Sequence, residues 1–119
     1  MIVIGLILVI LSGIAEAVMD TLAHHYHTSV FKSLGNENFW NPKFSWKNKW
    51  KNGYRANGEK FFGSSTFLVW TTDAWHLFKT VKSISLWTGV ITIGISYSTS
   101  SLAFWVCILV FVSMTRLSF

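Results

Sequence analysis

The chain begins and ends apolar and is polar between. Residues 1–15 (MIVIGLILVILSGIA) and 83–114 carry no charged side chain, and a bilayer span needs about 20 mostly apolar residues. No proline interrupts the first block or its continuation up to residue 34, and Gly35 supplies a helix stop. The pattern therefore predicts one helix over 2–34, roughly 50 Å long at 1.5 Å per residue. Its first half is uniformly apolar. Its second half, EAVMDTLAHHYHTSVFK, mixes acids and histidines with apolar residues, so the helix is expected to leave lipid partway along.

Ser64 or Ser65 can cap a second helix over 65–97, running through Trp70, Asp73, His76, Lys79 and Lys82 into ISLWTGVITIGI. A polar cluster, Ser96 to Ser101, breaks the later apolar block, and a short helix over 102–116 is closed by Arg116. The expected fold is an all-α integral membrane protein forming one membrane domain, 1–119. It has three helices, the two long ones antiparallel and extending beyond the bilayer on one side. The stretches flanking the serine cluster are each shorter than an ordinary span, so a re-entrant pair is the alternative for the last two segments.

Composition agrees. Charged residues are 13% of the 119 and hydrophobic ones 51%, against roughly a quarter charged in soluble domains. The start imitates a signal peptide, with Ala15-Glu16-Ala17 as a small-x-small site, yet no Lys or Arg precedes the apolar run; it reads as an anchor. The single Cys107 lies in an apolar run and excludes an internal disulfide.

Six of the ten basic residues fall in the connecting loop 35–64: Lys43, Lys47, Lys49, Lys51, Arg55 and Lys60. Within FWNPKFSWKNKWK, aromatic rings alternate with lysines, as suits headgroup depth beside anionic lipid. The same mixture can stack single-stranded nucleic acid, but beside two apolar blocks membrane lipids are the expected partner and nucleic acid is not. The basic excess places the loop and C-terminus in the cytoplasm and the N-terminus outside. Gly63, Ser64, Ser65 and Thr66 lie at a predicted helix N-terminus, a position suited to a lipid phosphate, though capping is the simpler use of those serines.

The candidate chemistry is concentrated in two windows. Taking Glu16 as zero and 100° per residue, Asp20 lies at about 40°, His24 at about 80° and His27 at about 20°, so the four share a helix face. Asp73 and His76, three apart, share a face of the second helix. Antiparallel packing would set Asp20 and His24 about 8 to 14 Å, and His76 and Asp73 about 10 to 15 Å, beyond the apolar zone. Helical bundles build metal sites from such inward carboxylates and imidazoles.

The expected function is a membrane-embedded metal-dependent enzyme, hydrolytic, acting on a lipid or amphipathic substrate at the cytoplasmic interface. Asp20, His24, His27, Asp73 and His76 would bind one or two ions of Zn, Fe or Mn, and Glu16 would serve as ligand or general base. With iron, redox chemistry on an acyl chain is the other option. The rival is a non-enzymatic small membrane protein, an accessory subunit or holin-like oligomer, whose acids and histidines form a polar interhelical clamp.

Overall fold

The computed structural model describes residues 1–97 together with Trp105, Ile108 and Leu109, and these are helical or in turns, with no strand among them. The α-helices are α1 (Ile2–His24), α2 (Glu37–Trp40), α3 (Pro42–Ser45) and α4 (Ala74–Tyr97). Short 3₁₀ turns occupy Tyr26–Thr28, Val30–Leu34, Lys51–Gly53, Arg55–Asn57 and Val69–Thr71. Apart from Trp105, Ile108 and Leu109, which are helical, the predicted helix over 102–116 and most of the serine cluster lie outside the described residues.

Both long helices are shorter than the sequence pattern predicts. Beyond His24 the hydroxyls compete with the helix: Thr28 Oγ1 donates to the His25 carbonyl at 3.2 Å and Ser29 Oγ to the Tyr26 carbonyl at 2.8 Å. The break turns Tyr26 into the interior, at 4% exposure. α4 starts at Ala74 rather than near Ser65, because Asp73 is its cap: Asp73 Oδ1 accepts from the His76 backbone N–H at 2.8 Å.

The chain divides into two compact units, Met1–Ser12 with the chain from Ile84 onward, and Gly13–Ser83. In the first, α1 and α4 meet at two glycines. A Cβ on Gly5 would stand 3.0 Å from the Gly89 carbonyl, and one on Gly89 would stand 2.9 Å from the Gly5 carbonyl. Backbone against backbone leaves no room for a side chain. Thr92 Oγ1 and Ser96 Oγ donate to the carbonyls four residues back, at 2.7 and 2.8 Å, so these hydroxyls are satisfied within α4.

Among the described residues α1 alone is long and apolar enough to cross a membrane. Only 22% of its apolar window is buried, unlike the core helix of a soluble protein. Val3, Ile4, Leu6, Ile7, Ile10, Leu11 and Ile14 are all exposed.

The second unit has its core at Leu22, Tyr26 and Ala74, with Val18, Phe31, Phe39, Trp40 and Phe78 packed around them. Phe31 stacks on Trp40 at 5.4 Å between ring centres, and Phe39 meets the same indole edge-on. Asn41 caps α3, accepting from the Lys43 N–H at 3.1 Å, with Pro42 at the first helical position, where its missing N–H costs nothing.

The basic segment is folded rather than an open loop. Lys51 N–H donates to the Gly58 carbonyl and Lys60 N–H to the Lys49 carbonyl, both at 3.0 Å, closing a hairpin-like turn. Ser64, fully buried, ties this turn to the following chain: its Oγ donates to the Lys49 carbonyl at 2.7 Å and accepts from Lys60 N–H at 3.1 Å. Asn48 Nδ2 donates to the Thr72 carbonyl at 2.5 Å, tying the segment to the residues that open α4.

Candidate functional site

The six residues expected to form one centre fall into separate places. Glu16 is ion-paired with Lys82. Asp20 and His24 approach to 3.8 Å within α1, both side chains about 70% exposed, a geometry worth at most about 1 kcal/mol. His27 is exposed and sets its ring against the edge of Tyr26, 5.5 Å between centres. Asp73 and His76 pair with each other, His76 Nδ1 lying 2.7 Å from Asp73 Oδ2.

This corrects the expectation of a transition metal. Among the described residues no group of three or more His, Cys, Asp or Glu side chains is placed to hold a metal ion. The reasons are local. The helix ends at His24, so the 100° projection no longer applies to His27. On the same projection the buried Ala15, Met19 and Leu22 lie at about −100°, −60° and −120° from Glu16, so the apolar stripe took the interior and turned the acids outward. Asp73 uses both carboxylate oxygens on His76.

The Asp73–His76 pair is the one member of the set with a buried carboxylate, Asp73 being 2% exposed against 32% for the His76 side chain. Both line a cavity of about 320 Å³ with Ser45, Trp46, Trp75 and Pro42. With Nδ1 committed to Asp73, a neutral His76 ring donates there and presents Nε2 as a proton acceptor.

The predicted anion position at Gly63–Thr66 is filled by the chain's own carboxylate. Glu59 accepts from the Gly63 N–H at 3.1 Å, from the Ser65 N–H at 3.2 Å and from the Ser65 hydroxyl. These donors favour the charged form, the Ser65 hydroxyl most, and hold the Glu59 carboxyl below its usual range. Gly63 takes φ of +80°, and a Cβ there would fall 2.6 Å from the Phe67 ring, so glycine is required to form this nest. At Tyr26, burial first and the Glu37 charge second push the phenol above its usual value.

The remaining feature is a basic, aromatic surface. Lys47 lies over the Trp46 ring at 5.2 Å, and Lys49 and Arg55 both lie over Trp50, at 5.7 and 5.8 Å. Phe44, Trp46, Tyr54, Phe61, Phe62 and Phe67 are exposed. Two adjoining cavities open here. One, of about 390 Å³, is lined by Lys47, Lys60, Asn38, Asn48 and Asn52 with Phe44 and Trp50. The other, of about 440 Å³, is lined by Trp46, Trp50 and Tyr54 with Lys47, Lys49 and Arg55.

The sequence pattern marked the Trp–Lys alternation and read Ser64 as a helix cap, but missed Asn48 and Glu59; these three build the scaffold beneath it. Their signal was weak: polar residues in a stretch read as loop. No family model matches the chain, and no curated protein or solved structure matches it either.

Proposed function

We propose that the chain is a membrane-embedded, non-enzymatic protein in which α1 is the anchor and Gly13–Ser83 is a folded unit that rests on the anionic cytoplasmic face of the bilayer. The observation that carries this reading is α1 itself: no charge before Glu16, 22% burial of its apolar window and a run of exposed aliphatic side chains. Such a surface is costly in water and cheap in lipid or against neighbouring transmembrane helices. Lysine and tryptophan together on Gly13–Ser83 suit a leaflet rich in anionic headgroups. Glu16 and Lys82 then act as the interhelical clamp, neutralising each other.

Alkaline carbonate extraction of cell membranes, with intact-mass measurement of the extracted chain, tests this. The chain is expected in the pellet at its full mass. Release into the supernatant, or a mass corresponding to loss of the first seventeen residues, overturns the anchor.

One observation favours a second, catalytic reading that needs no metal: the Asp73–His76 pair beside the 320 Å³ cavity. There His76 Nε2 would take a proton from water as its oxygen bonds to an ester carbonyl, and return it to the departing alkoxide. Hydrolysis of a short-chain nitrophenyl ester that is lost in His76→Gln but kept in His25→Gln supports it. Equal background rates in both variants exclude it and leave Asp73 as a helix cap.

A further inference from the structure

We infer that the two adjoining cavities on Gly13–Ser83 form one site for the phosphodiester headgroup of an anionic phospholipid, with Lys47 and Lys60 holding the phosphate. This rests on the reading of the unit as one that lies on an anionic leaflet. The cavities share Lys47, Trp50 and Gly53, so they adjoin. One is polar, with two lysines and three asparagines around it. The other offers the rings of Trp46, Trp50 and Tyr54. A ligand that fits both has a compact anionic group joined to a less polar portion, which describes a phosphate with its glycerol and the first part of its chains.

Lys60 is unusually well placed for a lysine. Its backbone N–H is fixed to the Lys49 carbonyl and to Ser64 Oγ, at 3.0 and 3.1 Å. Its Nζ donates to Asn48 Oδ1 at 2.8 Å, and Asn48 is itself held through Nδ2 by the Thr72 carbonyl at 2.5 Å. With the amide committed at both ends, Asn48 presents its oxygen to Lys60, and the ammonium keeps two further donors for a ligand. Holding the head in advance removes much of the rotamer entropy that a free lysine loses on binding.

Charge bookkeeping points the same way. Of the five acids, Glu16 is paired with Lys82, Asp20 with His24 and Asp73 with His76, Glu59 is taken up by its own loop, and Glu37 sits in the first turn of α2 without an ion pair among the described residues. None of these meets Lys47 or Lys60, and the chain carries a formal charge of +5. Lys47 and the indole of Trp46 present a cation and an interfacial ring side by side, the pairing that suits headgroup depth.

The full chain, purified in mild detergent, would be titrated with dihexanoyl phosphatidylglycerol while tryptophan fluorescence is followed. Saturable binding is expected, at least tenfold tighter than to dihexanoyl phosphatidylcholine. Lys60→Gln and Lys47→Gln should each weaken it about fivefold, the usual weight of one basic residue beside an anionic lipid. Lys32→Gln, away from both cavities, should leave it unchanged. Asn48→Ala should weaken it less than Lys60→Gln, since Asn48 lines the polar cavity without a charge and holds Lys60 in place. Near-ultraviolet circular dichroism confirms that each variant is folded. Equal affinity for phosphatidylcholine, unchanged binding in both lysine variants, or equally tight binding of inorganic phosphate or an oligothymidylate would each overturn the site. A chain that stays in carbonate-extracted membranes yet fails this titration keeps its anchor and loses only the lipid site.

Discussion

At the scale of single residues, what matters is which partner each ionisable group finds. Glu59 sits in a nest of donors that lowers its proton affinity below the ordinary value near 4.5. A carboxyl depressed on folding contributes stability above its unfolded value, and that contribution is lost as pH falls through the lower, folded value. The Lys49–Ser65 turn is therefore expected to stay ordered at mildly acidic pH and to loosen only below the usual carboxylate range. Ser65→Ala removes the strongest donor and should move that acid transition upward, as read from tryptophan fluorescence against pH. An unchanged midpoint would mean that the Ser65 hydroxyl does not hold the carboxylate. Tyr26 offers the reverse case: its hydroxyl is buried and has no hydrogen-bond partner among the described residues. An unmet buried hydroxyl costs about 1–3 kcal/mol, so Tyr26→Phe should raise stability by about 1 kcal/mol in chemical unfolding. A destabilised variant would show that the hydroxyl has a partner after all.

At the scale of elements, the part of the fold legible in the sequence was the part governed by one strong local term. The uncharged run of residues 2–15 announces α1, and the proline-free stretch ending near residue 97 announces α4, because apolar continuity is read directly from the chain. The ends of both helices were not legible. Whether Thr28 and Ser29 hydroxyls leave the helix depends on Tyr26 having a core to enter, and whether Asp73 or Ser65 caps α4 depends on Ser64 and Ser65 being engaged by Lys49 and Glu59. The metal site failed for the same reason. A shared helix face is a local property, but which groups gather is decided by the apolar stripe that claims the interior. The glycine crossing of α1 and α4 carries the element-scale prediction. Gly89→Val places a side chain against the Gly5 carbonyl, a backbone atom that cannot yield. Overpacking of this kind costs about 1–3 kcal/mol. Gly13→Val, where nothing lies within 4 Å of the added carbon, is the matched control. Unfolding from detergent micelles by added dodecyl sulfate should show Gly89→Val falling earlier and Gly13→Val near wild type. Equal shifts in the two would mean that the crossing does not bear the load.

At the scale of the whole molecule, the distribution of charge sets the expected orientation. Lys43, Lys47, Lys49, Lys51, Arg55 and Lys60 all lie between Gly35 and Gly63, whereas the first fifteen residues hold none. Short loops rich in Lys and Arg stay on the cytoplasmic side, so these six should fix the topology of α1. A thiol at Asn57→Cys, in a Cys107→Ser background, should react with a membrane-impermeant maleimide only after the cytoplasmic face is opened. Replacing all six basic residues by Gln should give a mixed population, part of it labelled from outside. If the six-fold variant keeps a single orientation, the remaining Lys32, Lys79, Lys82 and Arg116 suffice to hold it, and the six are freed for one use, the anionic headgroup. The two roles separate cleanly because topology depends on the summed charge near the end of the span, whereas headgroup binding depends on where Lys47 and Lys60 stand. Moving a lysine along the segment, Lys60→Gln with Asn57→Lys, should therefore preserve orientation and still weaken binding.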